Sequence, residues 1–227
     1  MKYNNVVCGS FISRPNRFIA YVEVNGEVQV CHVKNTGRCR ELLTENARVI
    51  LECAPDLSNR KTKYDLIAVY KNDMLINMDS QAPNKAVGEW IEKSGYFGKV
   101  TTVRPEAVYG NSRFDFYIET EKEKIYAEVK GVTLEKDGVV SFPDAPTLRG
   151  VRHLCELERA MMEGYGAYAI FVIQMKSCKF FTPNRDTHPE FADTLKRVSE
   201  SGVKVIALTC EVGEDFMTID GFADVIV

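Results

Sequence analysis

The pattern of apolar residues changes near residue 80, and this change divides the 227-residue chain in two. Before it, short runs typical of strands alternate with turn signals. After it, helical and strand patterns alternate. A polar, proline-containing segment, DSQAP at 79–83, lies at the change. The sequence therefore predicts two domains, residues 1–80 and residues 81–227, of mixed α+β and α/β class.

The first domain is predicted to be a small β-barrel. Residues 18–33 read as a hairpin around Asn25-Gly26, a strong signal for a two-residue turn. Further strands are predicted at 47–52, 64–70 and 74–77. About five strands without a long helix are typical of a five-stranded barrel of the oligonucleotide-binding (OB) kind.

The second domain is predicted to be α/β. Amphipathic patterns indicate helices at 84–93, 147–163 and 189–201, with Thr147 as a candidate N-cap. Strands are predicted at about 100–109, 113–119 and 125–130. Continuous apolar runs at 167–174 and 203–210 indicate two buried strands.

Composition limits the classes of partner. The formal net charge is -3, so any binding of nucleic acid has to come from a local basic surface. Seven cysteines without a CxxC spacing predict reduced thiols and a cytoplasmic protein. Apolar runs stay short of the roughly 20 residues that a membrane helix needs, and we expect no membrane partner.

Two carboxylates on neighbouring strands are the strongest sign of chemistry. If a tight turn centres on residues 121–122, antiparallel partners have numbers that sum to 243, and Asp115 lies opposite Glu128. Alternation then places Phe114, Phe116 and Ile118 on one face. Like charges directly opposite each other are destabilising, so a compensating group is expected.

A hard divalent cation would compensate this repulsion. Asp115 and Glu128 would be oxygen ligands, with the carbonyl of Val129 as a third. Lys130, on the same face as Glu128, would orient or help deprotonate an attacking water, or stabilise charge on a phosphate. The spacing alone is also compatible with a solvated hairpin whose outer face carries charges, with Lys130 neutralising one carboxylate.

Other residues are weaker candidates. Glu89 lies beside the apolar stripe of the first helix, as a further metal ligand or as part of a solvated face. Arg149 and His153 lie one helical turn apart and can hold a phosphate together, or form a surface pair. Gln174 ends an apolar strand, where it either points into a cleft or reaches water.

Basic residues cluster in the first domain. Residues 1–70 contain ten Lys and Arg against seven Asp and Glu, opposite in sign to the whole chain. The phosphate backbone of a nucleic acid can bind along such a surface, although a basic face that only contacts solvent has the same composition. The candidate contacts, some of them in the loop KNTGR at 34–38, are Lys34, Arg38, Arg40, Lys61 and Lys63.

Seven motifs, in order, resemble one known family over nearly the entire chain. They are NTGRCRELL, RKTKYDL, QAPN, SRFDFYIE, YAEVKGVTL, FPDAPTLRGVRHLCEL and FVIQ. They closely resemble the sugar fermentation stimulation protein A family. The resemblance implies an OB barrel joined to a restriction-endonuclease-like domain of the PD-(D/E)xK superfamily, in a prokaryotic protein described as DNA-binding.

The resemblance also implies roles for individual residues. Asp115, Glu128 and Lys130 match the D...ExK motif, although Asp115 lies in FDF and not in a Pro-Asp pair. Glu89 matches the acidic position on the helix. On the following helix and strand, positions that are less general in this superfamily match Arg149, His153 and Gln174. The roles that the resemblance implies for these three residues are less specific.

The sequence therefore leaves two main alternatives for the function. The first is a nuclease, a phosphodiesterase dependent on Mg2+ or Mn2+ that acts on nucleic acid, with DNA as the expected substrate. The second is a non-catalytic DNA-binding transcriptional regulator of sugar (maltose) metabolism, in which the carboxylate site is structural or vestigial. A scaffold that meets nucleic acid only within a larger assembly is a third alternative.

Overall fold

The computed structural model describes residues 1–35, 37–56, 58, 60–110 and 112–227. Six strands come first in the chain: β1 (Val6–Ser13), β2 (Ile19–Val24), β3 (Glu27–Val33), β4 (Arg48–Cys53), β5 (Tyr64–Lys71) and β6 (Met74–Asn77). Strands β1 to β5 form the predicted barrel in the order β3-β2-β1-β4-β5, and a parallel pairing of β3 with β5 closes it. The five-stranded barrel is thus confirmed.

The membership of the barrel differs from the prediction in one strand. The sequence pattern missed β1 and counted β6, which in the structure extends the sheet beyond β5. The pattern of β1 is weak because few of its side chains are buried. The predicted hairpin between β2 and β3 is confirmed, with φ of 52° at Asn25 and 81° at Gly26, as a type I′ turn requires.

The second half of the chain is α/β, as predicted. Its elements are α1 (Ala82–Lys93), β7 (Val100–Tyr109), β8 (Ser112–Thr120), β9 (Lys124–Val132), β10 (Leu134–Lys136), β11 (Val139–Phe142), α2 (Leu148–Met162), β12 (Gly166–Ile173), β13 (Phe180–Pro183), α3 (Pro189–Ser201), β14 (Lys204–Val212) and β15 (Met217–Ala223). All three predicted helices are confirmed. Strands β10, β11, β13 and β15 were not predicted because they are short or carry exposed side chains.

The main sheet has the order β15-β14-β12-β9-β8-β7. Its middle strands β9, β12 and β14 are parallel, and the outer strands are antiparallel to their neighbours. Helix α1 packs on one face, while α2 and α3 pack on the other. Thr147 caps α2, as predicted, by accepting a 3.0 Å hydrogen bond from the Gly150 N–H. These layers place α1 and α2 on opposite sides of the β8–β9 hairpin.

The barrel and the α/β domain share one hydrophobic core. Barrel residues such as Phe11 and Leu66 belong to the same buried cluster as Phe171 and Phe181. Strand β6 joins the two, since the Asn77 N–H donates to the carbonyl of Gln174 over 2.9 Å. We therefore expect the two domains to keep a fixed relation to each other.

The cysteines and the lengths of the helices bear on two further predictions. All seven cysteines are free thiols. Within the part of the chain that the structure describes, each helix is too short or too polar to cross a membrane.

Candidate metal centre

The register of the β8–β9 hairpin is the one that the sequence predicts. Phe116 pairs with Ala127, Tyr117 with Tyr126 and Ile118 with Ile125, so each pair sums to 243. Extended by one residue, this register places Asp115 beside Glu128. Besides burial, the charge of Glu128 is close enough to raise the pKa of Asp115, as expected for a like-charge pair on neighbouring strands.

The regular ladder ends before this pair. Oδ2 of Asp115 accepts a 2.7 Å hydrogen bond from the Val129 N–H, so a carboxylate takes the place of a backbone carbonyl. On the other side of Asp115, Glu106 of β7 has φ of 54°, a left-handed conformation that breaks the alternation of the strand.

This break corrects one prediction. Phe116 and Ile118 share the face towards α1, as expected, but Phe114 lies in the opposite cluster with Tyr126. Its ring centroid is 6.4 Å from that of His153 on α2. Simple alternation fails here because the backbone is irregular at Glu106 and Asp115. The faces of the residues before and after this irregularity are therefore not related by period-2 alternation.

Asp115 is held by two donors. Besides the Val129 N–H, the side-chain amide of Asn84 on α1 donates 2.7 Å to Oδ1. Burial and the nearby charge of Glu128 raise the pKa of Asp115, although the two hydrogen bonds and Lys130 oppose this. Asn84 was missed by the sequence reasoning. Its signal is its place in the QAPN motif, one residue after the proline in the first turn of α1.

Glu128 has two unequal oxygens. The side chain is 4% exposed, and Oε1 accepts from both Lys130 Nζ and His153 Nδ1. Oε2 is buried and has no hydrogen-bond partner among the residues that the structure describes. Burial acts to raise the pKa of Glu128, but His153 and Lys130 together outweigh it and the pKa is lowered. An ionised, buried carboxylate with a bare oxygen is suited to bind a cation.

His153 is buried and both of its ring nitrogens are engaged. Nδ1 contacts Glu128, and Nε2 accepts from Arg149 Nε over 3.3 Å. A neutral imidazole protonated on Nδ1 satisfies both contacts. His153 is thus placed to orient Glu128, and its contact with phosphate stays a prediction. Arg149 is exposed and remains available for phosphate.

Glu89 lies apart from the carboxylate pair. Glu89 and Asp115 line one cavity of about 600 Å³. The carboxylate of Glu89 nevertheless pairs with the amino group of Met1 at 3.2 Å and with Lys93 at 3.4 Å. Among the described residues, no three His, Cys, Asp or Glu side chains come together as a metal-binding group. The structure therefore does not bring Glu89 to the pair as a third protein ligand.

The pair itself fits a hard divalent cation. Two carboxylates, one with a bare buried oxygen, supply the oxygen ligands that Mg2+ and Ca2+ prefer. Mg2+ is commonly held by one or two carboxylates, with waters and substrate oxygens completing its shell. A two-carboxylate site is thus sufficient without Glu89. The part of the Val129 carbonyl stays a prediction.

Comparison with known proteins agrees with the motifs. Residues 12–78 match the family profile described as SfsA N-terminal OB domain, and residues 81–216 match the sugar fermentation stimulation protein RE domain. The chain belongs to the sugar fermentation stimulation protein family. Two relatives named sugar fermentation stimulation protein homolog come from Clostridium beijerinckii, 59% identical with 100% of both chains covered, and Desulfitobacterium hafniense, 56% identical with 99% and 98% covered.

A solved structure supports the same assignment. It is described as Pyrococcus furiosus SfsA in complex with Ca2+, and it superposes with a TM-score of 0.90 at 26% identity. The alignment covers 100% of this chain and 98% of the other. The barrel followed by an α/β domain is therefore the fold of the family.

In this member of the family, Gln174 connects the two domains. It is 2% exposed, and its amide donates 3.1 Å to Asn77 Oδ1 and 3.2 Å to the carbonyl of Asp79. Of the two alternatives left by the sequence, the one in which Gln174 reaches water is wrong. Gln174 also lines a cavity of about 310 Å³ between the domains.

Gly131 is required for this junction, which gives a stability prediction. A Cβ there would collide with Gln174 Oε1 and lie 2.9 Å from Pro83. We expect Gly131→Ala to lower the free energy of unfolding by about 1 to 3 kcal/mol, measured by urea denaturation. The matched control is Gly88→Ala, whose Cβ would meet Phe116 at an ordinary 3.6 Å. An unchanged midpoint for Gly131→Ala would contradict this packing.

Lys34 is not a free basic residue. Its ammonium lies 3.1 Å from Glu52, 3.5 Å from Asp65 and 3.5 Å from Asp79. Burial acts to lower the pKa of Lys34, but these carboxylates raise it overall. The structure thus places Lys34 among three carboxylates, which favours a structural role, and its contact with phosphate stays a prediction.

The other predicted nucleic-acid contacts are on the surface. Arg38, Arg40, Lys61 and Lys63 are exposed, although Lys63 lies over the Tyr64 ring at 5.1 Å. Residue 36, within the predicted phosphate loop, lies outside the described residues. The contact of these side chains with nucleic acid stays a prediction.

Proposed function

We propose that this protein is a phosphodiesterase dependent on a divalent cation and acting on nucleic acid. The observation that carries the proposal is the buried Oε2 of Glu128, which has no hydrogen-bond partner among the described residues, on a carboxylate whose charge adds to burial in raising the pKa of Asp115. A like-charge pair at the broken end of a ladder has a cost, which a bound cation offsets. A surface used only to bind phosphates has no need of such a pair.

Each residue of the site has a separate role in this proposal. Asp115 and Glu128 would hold the cation, and Asn84 and the Val129 N–H orient Asp115. His153 orients Glu128 and leaves its second oxygen free. Lys130 keeps a positive charge at the same carboxylate, 22% exposed, where it can meet a phosphate oxygen or an attacking water.

The cation would be Mg2+ or Mn2+. When bound, such a cation polarises a phosphate oxygen and stabilises the charge that develops in hydrolysis. The Pyrococcus furiosus relative is described as a complex with Ca2+, which is likewise a hard cation with oxygen ligands. This supports a hard-cation site in the present chain.

The activity is tested by cleavage of end-labelled single-stranded and double-stranded DNA and RNA with Mg2+, Mn2+ or EDTA. We expect cutting of at least one substrate with Mg2+ or Mn2+ and none in EDTA. If nothing is cut, while gel shifts persist equally in EDTA and in Asp115→Ala, the enzymatic proposal fails. The DNA-binding regulator of sugar metabolism would then be the better account.

His153 gives a prediction that separates orientation from phosphate binding. We expect His153→Ala to reduce the cleavage rate by about 10-fold to 100-fold, as loss of a group that orients a metal ligand does. The affinity for nucleic acid in EDTA should stay within about twofold, since the buried ring does not face the substrate. Arg152→Ala, one residue earlier and exposed, is the matched control. A large loss of affinity for His153→Ala with an unchanged rate would contradict the assignment.

A further inference from the structure

The outer face of the first three barrel strands carries exposed apolar side chains where a solvated barrel face is usually polar, with Glu23 as an exposed charge opposite Val28. Five large apolar side chains are exposed on this face or beside it: Ile12, Phe18, Tyr21, Val28 and Val30. Tyr21 lies directly opposite Val30 in the register, while the alternating residues Ala20 and Cys31 are fully buried inside the barrel. We call this set the apolar face. The barrel core is complete without it.

The extent of exposure indicates a binding surface. Phe18 is 55% exposed and Val28 is 62% exposed. Scattered apolar residues on a surface are ordinary, but a contiguous patch marks a site of interaction. In OB barrels, the face of strands 2 and 3 with the adjoining loops binds oligonucleotides and oligosaccharides.

Arginines border the apolar face. Arg17 directly precedes Phe18, and together with Arg38 and Arg40 it lines a cavity of about 400 Å³. Arg14 fixes the loops that carry them, since its guanidinium donates to the carbonyls of Arg17, Asn35, Gly37 and Arg38 at 2.6 to 2.9 Å. Arg14 is thereby structural, whereas the other three are directed outward and exposed. Apolar and cationic surface therefore lie side by side.

This cavity borders the inter-domain cavity. Gly37 lines both the arginine cavity and the inter-domain cavity of about 310 Å³. The latter is also lined by Gly131 and Thr133, and Gly131 directly follows Lys130. The two cavities are therefore neighbours, and the second one borders the strand that carries Lys130.

We propose that the apolar face binds a single strand of nucleic acid, which runs through the arginine cavity towards Lys130. This rests on the proposed function and names the form of substrate that reaches the same site. A duplex hides its bases and offers phosphates to a flat surface, whereas a single strand offers unstacked bases to aromatic and aliphatic side chains. Phe18 and Tyr21 supply stacking, and the arginines follow the backbone.

The test is a binding measurement in EDTA, so that it does not depend on cleavage. Fluorescence anisotropy of the full chain is measured with a labelled 30-nucleotide DNA, single-stranded and as a duplex. We expect the wild type to prefer the single strand by at least about tenfold. Phe18→Ala combined with Tyr21→Ala should weaken single-strand binding by about tenfold or more, and Tyr21→Phe should not. Val108→Ala, exposed on β7, is the matched control.

The role of the arginines is tested by the salt dependence of binding. Arg38→Ala combined with Arg40→Ala should reduce the slope of log affinity against log salt by about 1.4, which is about 0.7 for each phosphate contact on a single strand. An unchanged slope would overturn this part of the route.

Further outcomes of these binding measurements distinguish the proposal from its alternatives. Equal affinity for duplex and single strand, or an unchanged affinity of the aromatic double variant, overturns the proposal. A double variant that dissociates a dimer and binds the single strand like the wild type would show that the apolar face joins two copies of this chain, which also overturns it. Single-strand preference that depends on the aromatic residues, without any metal-dependent cleavage, would support this proposal and contradict the phosphodiesterase.

Discussion

Asp115→Asn should abolish cation-dependent cleavage, with a loss of at least about a hundredfold in rate, the order that removal of one charge-stabilising group costs. The amide keeps the size of the side chain, so the loss would come from charge. Burial and the charge of Glu128 raise the pKa of Asp115, and neutralising it removes repulsion. We therefore expect the variant to be as stable as the wild type, or more stable, while it no longer binds the cation. Rate and thermal midpoint are measured on the same preparation.

The control for this prediction is Glu119→Gln. Glu119 lies on the same strand, is partly exposed and pairs with Lys124 at 3.7 Å. Its loss should change neither the rate nor the dependence on metal by more than about twofold. Full activity of Asp115→Asn would remove the basis for the proposed catalytic site.

Lys34→Met should have the largest effect on stability. The change leaves Asp65 and Asp79, whose side chains are 4% and 0% exposed, without the cation between them. Removing one partner of a buried ionic group typically costs about 3 to 5 kcal/mol. Arg60 and His32 still bind Asp65, so we expect the lower end, about 3 kcal/mol, in urea denaturation.

The matched control is Lys61→Met, an exposed lysine of the same domain, which should change the free energy of unfolding by less than about 0.5 kcal/mol. The prediction also separates two roles for Lys34. If Lys34→Met unfolds at the wild-type urea concentration but binds nucleic acid much more weakly, then Lys34 is a phosphate contact and the structural role is wrong.

The register of the hairpin that carries the two carboxylates could be predicted from sequence because it depends on local pairing. A short turn and period-2 alternation are enough to set the register of the β8–β9 hairpin, and all of the pairs from Phe116 to Glu119 obey it. The same reasoning failed at Phe114. The left-handed backbone at Glu106 of the neighbouring strand has no sequence signal of its own, since its positive φ is not at a glycine.

The partners from other elements could not be predicted in this way. Asn84 reaches Asp115 because of how α1 packs on the sheet, and Glu89 on the same helix is drawn to Met1 instead. Lys34 looked like part of a basic surface because its carboxylate partners are distant in sequence, Asp79 being 45 residues away. Gln174 is similar, since Asn77 belongs to the other domain. Contacts of this kind depend on tertiary packing, which a single sequence does not display.

The proposed cation site at Asp115 and Glu128 can be observed by anomalous diffraction from crystals of this protein soaked in Mn2+. We expect a peak of anomalous density in contact with Asp115 and with Oε2 of Glu128, and no such peak in Asp115→Asn. Density only elsewhere, for example at Glu89, or none between the two carboxylates at a Mn2+ concentration that supports cleavage, would contradict it.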